Sequence, residues 1–154
     1  MNPAETPILL HVKTFRELTV DELYEILRVR ADVFVVDQDC VYQDLDGDDK
    51  VSLHIWLSEG DEIVALCRVC PAGTHMDEVS IGRGITTRRG KGLGKRIMIE
   101  AIKAACDRFG ARRIDIEAQE YASGFYEKVG FRQTSEPFML VGIPHIKITW
   151  FRED

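Results

Sequence analysis

The chain has 154 residues, a length that predicts one domain, residues 1–154, with room for a hydrophobic core. Its formal net charge of −6 argues against nucleic acid as the main partner and fits a small cationic or amine partner better. No segment approaches the roughly 20 apolar residues of a membrane span, and residues 1–6 lack the basic and apolar regions of a secretory signal. We therefore expect a cytoplasmic protein without a membrane partner, whose four cysteines are reduced thiols.

The first half of the chain predicts one strand, one helix and a hairpin. Residues 8–13 form the strand, and Thr19 with Glu22 forms a capping box that opens a helix running to about Val36. A polar, acidic loop follows over residues 40–50. Two apolar runs, 51–58 and 63–70, are joined by Glu-Gly-Asp-Glu and predict the hairpin.

The second half alternates strands and helices around a glycine-rich segment. Strands are predicted at residues 78–86, 113–118, 131–133 and 146–151, and helices at 92–109 and 122–129. Gly110 and Gly130 are placed to end the two helices. The chain shows no repeat or linker, so the pattern indicates a single α+β domain.

The most informative motif is the segment Arg89-Gly90-Lys91-Gly92-Leu93-Gly94-Lys95, which lies between a predicted strand and a predicted helix. Glycines leave backbone N–H groups uncovered, and a helix N-terminus adds unpaired N–H groups and a positive dipole end. With the three cationic side chains, this combination predicts a receptor for phosphate or pyrophosphate. The spacing fits neither a P-loop nor a dinucleotide fingerprint.

The order Arg-x-x-Gly-x-Gly, strand before and helix after, resembles the acyl-CoA loop of the GNAT N-acetyltransferases. Residues 119–131 read QEYASGFYEKVGF and are similar to a second GNAT motif, Asn-x-x-Ala-x-x-Leu-Tyr-Glu-Lys-x-Gly-Phe, with Gln119 and Phe125 as mild departures. Further segments at 33–38, 42–49, 81–83, 118–119 and 142–145 resemble the ElaA-like branch of that family. The chain departs from this branch at residues 67–70 and at Met139-Leu140-Val141, where an acidic residue is usual.

The resemblance implies the GNAT fold, a mixed central sheet that is splayed in the middle and flanked by helices. It places acetyl-CoA, as co-substrate, between the strands at 78–86 and 113–118. The expected cofactor contacts are backbone pairing of the pantetheine with Ile85 and Thr87 beside Thr86, pyrophosphate binding by the glycine-rich loop, and Gln119. The residues assigned to the loop are Arg89, Gly90, Lys91, Gly92, Leu93, Gly94 and Lys95.

The same resemblance implies direct attack of a neutral amine on the thioester, with no acyl-enzyme and no metal. Tyr126 matches the family tyrosine that protonates the departing thiolate; the alternative is an aromatic anchor of the short helix. A backbone N–H of the strand at 78–86, such as that of Ile85, would polarise the thioester carbonyl. The base is open between Glu78, Glu117 and His54.

Several polar residues keep two interpretations. Arg83 either contacts an acceptor carboxylate or pairs with a core acid, and His145 has either a substrate-side or a structural role. The loop at residues 44–49 lacks the glycine and glutamate of a calcium-binding EF-hand, so it lines the acceptor pocket or forms a solvated turn. Cys67 and Cys70 have no second pair at zinc spacing and are predicted as one core and one surface thiol.

The sequence therefore predicts an N-acetyltransferase that moves an acetyl group from acetyl-CoA to a small-molecule or peptide amine. The rival interpretation is a non-catalytic acyl-CoA-binding sensor. A homodimer would be an ordinary assembly for the family that the chain resembles.

Overall fold

The computed structural model of the protein describes residues 6–38, 43–88 and 90–153. The strands are β1 (Ile8–Thr14), β2 (Leu53–Glu59), β3 (Glu62–Cys70), β4 (Val79–Thr86), β5 (Arg113–Gln119), β6 (Arg132–Gln133), β7 (Phe138–Leu140) and β8 (Ile143–Phe151). The helices are α1 (Val20–Arg30), α2 (Leu93–Phe109) and α3 (Ser123–Glu127), with a π-helical segment at Ala31–Asp37 and short 3₁₀ turns at Phe15–Glu17, Asp48–Lys50 and Glu120–Ala122.

The described strands form one sheet in the order β1-β2-β3-β4-β5-β8-β6, with β7 also paired to β8. Neighbours run antiparallel except β4 and β5, which are parallel. This arrangement confirms the predicted mixed sheet and the α+β class. It also places the parallel pair in the middle of the sheet.

Helix α1 begins where its capping box predicts. The backbone N–H of Glu22 donates to Oγ1 of Thr19 at 3.1 Å, and the backbone N–H of Thr19 donates to Oε1 of Glu22 at 2.9 Å. The regular helix ends at Arg30, earlier than predicted, and continues as the π-helical segment, which contains a Val-Phe-Val-Val run. Branched residues lose side-chain freedom in a regular helix, so this run favours the α-helix less than its periodicity suggests.

Helices cover both faces of the sheet. One core cluster lies between the sheet and α2 and includes Ile97, Met98, Ile116 and Ala118. A smaller cluster on the side of α1 contains Ile26, Val29, Trp56, Ile63, Leu66 and Ile85. Because both faces are covered, Cys67 and Cys70 are both buried, and the prediction that one of the two is a surface thiol was wrong.

The C-terminal part contains a strand that the sequence did not predict. Strand β7 pairs with the beginning of β8, which starts at Ile143 rather than at residue 146. These strands form a hairpin whose tip lies at residues 141–142. No helix within the described ranges is long and apolar enough to cross a membrane.

Candidate active site

The sheet opens between its two central strands. β4 and β5 pair only at Val79 with Ile114 and at Ser80 with Asp115, and then separate. On the other side of β4, the register with β3 shifts so that residues 83–84 stand opposite Cys67. Arg83 adopts a left-handed φ of 56° in this bulge. A bulge bends and twists its strand, which accounts for the divergence of β4 from β5.

The register decides which backbone groups of β4 face the gap. The N–H of Thr87 donates to the carbonyl oxygen of Val64 at 3.0 Å. Bonded and non-bonded pairs alternate in an antiparallel ladder, so Thr86 is a non-bonded partner of Ala65, whereas Ile85 bonds to Leu66. The N–H and C=O of Thr86 therefore point away from β3 and into the gap. This corrects the expectation that Ile85 and Thr87 offer their backbone groups there.

A cavity of about 590 Å³ occupies the gap and reaches both faces of the sheet. On the α2 side it is lined by Met98 and Tyr126, which pack with the larger core cluster. On the α1 side it is lined by Phe34, which packs with the smaller cluster. Glu117 lies between two β5 residues of the larger cluster, so its side chain points to the opposite, α1 side.

Helix α2 begins beside this cavity. Gly90 and Gly92 have φ of 76° and 70°, values that favour glycine, and Gly92 has no side-chain cap. The first helical bond runs from the N–H of Arg96 to the carbonyl of Gly92 at 3.1 Å, so the N–H groups of residues 93–95 precede the helical ladder. A Cβ on Gly94 would lie 3.4 Å from Cγ2 of Thr86, a cavity-lining side chain.

The other predicted loop residues divide between core and solvent. Lys91 and Lys95 are exposed, while the Leu93 side chain is buried in the larger core cluster. Arg89 lies outside the described residues. Gln119 lines the cavity at the end of β5. The start of α2 therefore carries uncovered N–H groups and two solvent-facing ammonium groups at the edge of the cavity.

Tyr126, the tyrosine that the second motif singles out, lines the cavity. Its ring packs edge-on against Phe125 and Phe131, at centroid distances of 5.1 and 6.0 Å. Burial, with smaller contributions from Cys67 and Tyr121, raises its pKa to about 12. Within residues 6–38, 43–88 and 90–153, its hydroxyl has no hydrogen-bond partner. The side chain is thus anchored by its ring, while its hydroxyl keeps its proton at neutral pH.

Glu117 is paired with a residue that the sequence interpretation missed. Oε1 of Glu117 lies 3.1 Å from Nε2 of His75, and Nδ1 of His75 lies 3.6 Å from Oδ2 of Asp48. The hydrogen bond with His75 lowers the pKa of Glu117, against the opposing effect of burial. Nearby His145 donates from Nδ1 to the carbonyl of Ile143 at 2.8 Å and also lines the cavity. His75 follows Pro71 in an irregular loop, where no spacing pattern marks it.

Two other base candidates lie elsewhere. His54 is 2 % exposed on β2, and its Nε2 is 2.8 Å from the carbonyl oxygen of Asp49. Burial lowers its pKa. Glu78 precedes β4, at the end where β4 and β5 are still paired, and its charge acts on Arg113. Neither residue lines the cavity, whereas Glu117 does.

The acidic loop at residues 44–49 is held in place by ion pairs with three arginines. Arg68 binds Asp46 through both η nitrogens at 2.8 and 2.6 Å, and Arg30 binds Asp49 at 2.7 Å. Arg83 binds Asp44 at 2.8 Å, so the geometry shows the ion-pair alternative for this residue. The hydrogen bonds from Arg68 lower the pKa of Asp46, against the effect of burial. The loop is therefore a structural brace that borders the cavity through Asp46.

The comparisons with known proteins agree with this geometry. The model of the Acetyltransferase (GNAT) domain family matches residues 19–151. Protein ElaA of Escherichia coli K12 is 36% identical over 134 residues, which cover 84% of this chain and 88% of ElaA. The crystal structure of E. coli ElaA superposes with a TM-score of 0.87 at 32% identity, covering 94% of this chain and 99% of that one. An acyl-CoA N-acyltransferase from Pseudomonas aeruginosa superposes with a TM-score of 0.86 at 30% identity, covering 92% and 99% of the two chains.

Proposed function

Because this chain belongs to the GNAT acetyltransferase family, we propose that it transfers an acetyl group from acetyl-CoA to an amine in a ternary complex. The observation that carries the proposal is the gap between β4 and β5. The unpaired backbone of Thr86 and the start of α2 border this gap. The cavity that occupies the gap is also lined by Tyr126 and Glu117.

The residues at the gap fit acetyl-CoA. The N–H and C=O of Thr86 are free to bond an extended pantetheine as an added strand would. The N–H groups of residues 93–95, with Lys91 and Lys95, suit the pyrophosphate. Glycine at position 94 keeps the helix start close to Thr86. Binding at this remote end positions the reactive thioester inside the cavity.

We assign the acid–base roles to Glu117 and Tyr126, which line the same cavity. Acetyl-CoA supplies an acetyl thioester; the amine nitrogen bonds to its carbonyl carbon and the carbon–sulfur bond breaks. Glu117 accepts the proton lost by the amine, directly or through water, and Tyr126 donates its phenolic proton to the sulfur. Both groups return to their starting forms by exchange with solvent. His75 fixes the Glu117 carboxylate through its 3.1 Å contact.

The test combines binding with turnover. At 100 times its dissociation constant, acetyl-CoA stabilises the fold by about 2.7 kcal/mol, which raises Tm by roughly 5–10 °C for a domain of this size. ATP, which shares the nucleotide but lacks the thioester arm, should give a smaller shift. Absence of any shift at saturating acetyl-CoA would refute the proposal.

Tyr126→Phe then separates the enzyme from a sensor. Loss of a general acid lowers kcat by about 10²–10⁴-fold, while the melt shift with acetyl-CoA stays. Tyr24→Phe is the matched control, because Tyr24 is exposed on α1 and does not line the cavity. If the unmodified protein bound acetyl-CoA but released no CoA from it with any amine supplied, the sensor would be favoured.

A further inference from the structure

The hairpin of β7 and β8 carries a valine in a conformation that valine disfavours. Leu140 pairs with Ile143, so the turn consists of Val141 and Gly142, with φ of 46° and 76°. A two-residue turn with both φ positive is normally built from Asn-Gly, Asp-Gly or Gly-Gly. A β-branched residue in the left-handed region is a genuine outlier and costs free energy.

Burial in the core does not compensate for this conformation. Val141 is 50% exposed and Leu140 is 39% exposed, yet both line the cavity. Residues held in such strained conformations cluster at active sites and ligand-binding positions. The hairpin tip therefore presents two apolar side chains to the cavity mouth at a cost in stability.

Three more apolar side chains complete what we call the apolar rim: Val33, Phe34, Met76, Leu140 and Val141. Val33 and Phe34 come from the π-helical segment and Met76 from the loop before β4, so three separate segments contribute. A rim assembled from distant parts of the chain is a surface of the cavity rather than one local turn. It suits an apolar body rather than a hydrated one.

The acidic side chains that line the cavity beside the apolar rim suit an acceptor with a single cationic group. Asp46 is engaged by Arg68 and by Arg83, at 2.6 and 3.4 Å. Among the described acidic side chains that line the cavity, this leaves Glu117, which contacts His75 and no arginine or lysine. A polyamine needs several spaced acids, whereas a monoamine needs one.

We propose that the acceptor is a primary monoamine carried on an apolar or aromatic body, whose nitrogen faces Glu117 and whose body contacts the apolar rim. This inference rests on the proposed acetyl transfer. It names the acceptor class that the hairpin tip selects.

The test compares three amines at fixed, saturating acetyl-CoA: 2-phenylethylamine, ethanolamine and spermidine. We expect kcat/KM for phenylethylamine to exceed that for spermidine by at least about 10-fold, as apolar pockets discriminate on this scale. Equal or better turnover of spermidine overturns the acceptor inference and leaves acetyl transfer standing. Turnover of none of them, with acetyl-CoA still raising Tm, overturns the inference and favours the sensor; no Tm shift refutes the proposed function itself.

Val141→Asn tests the role of the rim, because it separates two effects. Relief of the backbone strain should raise Tm, whereas loss of the apolar side chain should reduce the preference for an apolar amine. Asparagine tolerates the left-handed conformation, so Tm should rise by about 2–4 °C. The ratio of kcat/KM for phenylethylamine to that for ethanolamine should fall by about 5–10-fold. Val51→Asn is the matched control, because Val51 is similarly exposed, at 56%, has a φ of −112° and does not line the cavity. A raised Tm with an unchanged ratio would show that Val141 does not contact the acceptor.

Discussion

Asp49→Asn tests whether the arginine-pinned loop is a structural brace. Asp49 is 7% exposed and binds both Arg30 and Arg68, which are each 1% exposed. Breaking a buried ion pair by removing one partner costs about 3–5 kcal/mol. Because Arg30 keeps Asp44 and Arg68 keeps Asp46, we expect a smaller loss in the free energy of unfolding, about 2–3 kcal/mol, or roughly 4–12 °C in Tm.

The assay is urea unfolding followed by far-UV circular dichroism, with Asp32→Asn as the matched control. Asp32 makes an exposed ion pair with Arg28 at 3.2 Å, one turn apart on the helix. Such surface pairs contribute about 0–0.5 kcal/mol, so this variant should unfold near the urea midpoint of the parent. If Asp49→Asn cost no more than Asp32→Asn, the loop would not brace the fold.

The same variant has a signature in acid. Burial would raise the pKa of Asp49, but its bonds and ion pairs with Arg30 and Arg68 outweigh that effect and lower it. A group with a lowered folded pKa contributes stability above its unfolded pKa, about 3.9, and loses it as pH falls through the folded value. The stability difference between parent and Asp49→Asn should therefore be constant from pH 5 to 7 and shrink below about pH 4. A difference that grew in acid would contradict the assigned ionisation.

Three further outcomes follow from the site. Gly92→Ala places a side chain on a residue with a φ of 70°, so it should cost about 1 kcal/mol of stability and weaken acetyl-CoA binding. Gly124→Ala is the control, because the backbone of Gly124 is helical. Equal effects of the two substitutions would contradict the role of α2. Glu117→Gln should lower kcat/KM for the amine by about 10²-fold or more with acetyl-CoA binding retained, because the hydrogen bond with His75 lowers the pKa of Glu117 and keeps it an ionised proton acceptor at neutral pH; a small effect would remove Glu117 as base. Burial raises the pKa of Cys67 to about 12, so N-ethylmaleimide at pH 8 should label the half-buried Cys106 before Cys67 in peptide maps, and equal rates would show that the core opens readily.

The sequence predicted the elements whose signals are local. The capping box at Thr19 and the C-terminal glycine at position 110 set helix ends that the structure confirms, because each acts through its own backbone neighbours. The mixed sheet was predicted from a resemblance carried by two motifs and is confirmed by the strand order. Strand β7 was missed because its three residues follow Pro137 and lack a clear alternation.

Structural features that depend on strand register or on contacts between distant segments could not be predicted from the sequence. A one-residue difference on β4 decides that Thr86, rather than Ile85 or Thr87, faces the gap, and it follows from a bulge that no pattern marks. His75 meets Glu117 only because the loop after β3 folds over β5, 42 residues further along. Arg83 likewise pairs with Asp44, which lies 39 residues earlier in the chain. The roles of Tyr126 and the glycine-rich loop in catalysis and binding remain predictions that the experiments above check.

Only two residue pairs join β4 to β5, which affects how the domain opens locally. The sheet therefore consists of two half-sheets, β1–β4 and β5–β8. Each half is paired internally by long antiparallel ladders, but the two halves are hardly paired to each other. Amide hydrogens of either half should exchange through independent local openings in the unliganded protein. A ligand that lies in the gap as a surrogate strand would couple the two halves, so bound acetyl-CoA should make their exchange protection rise together.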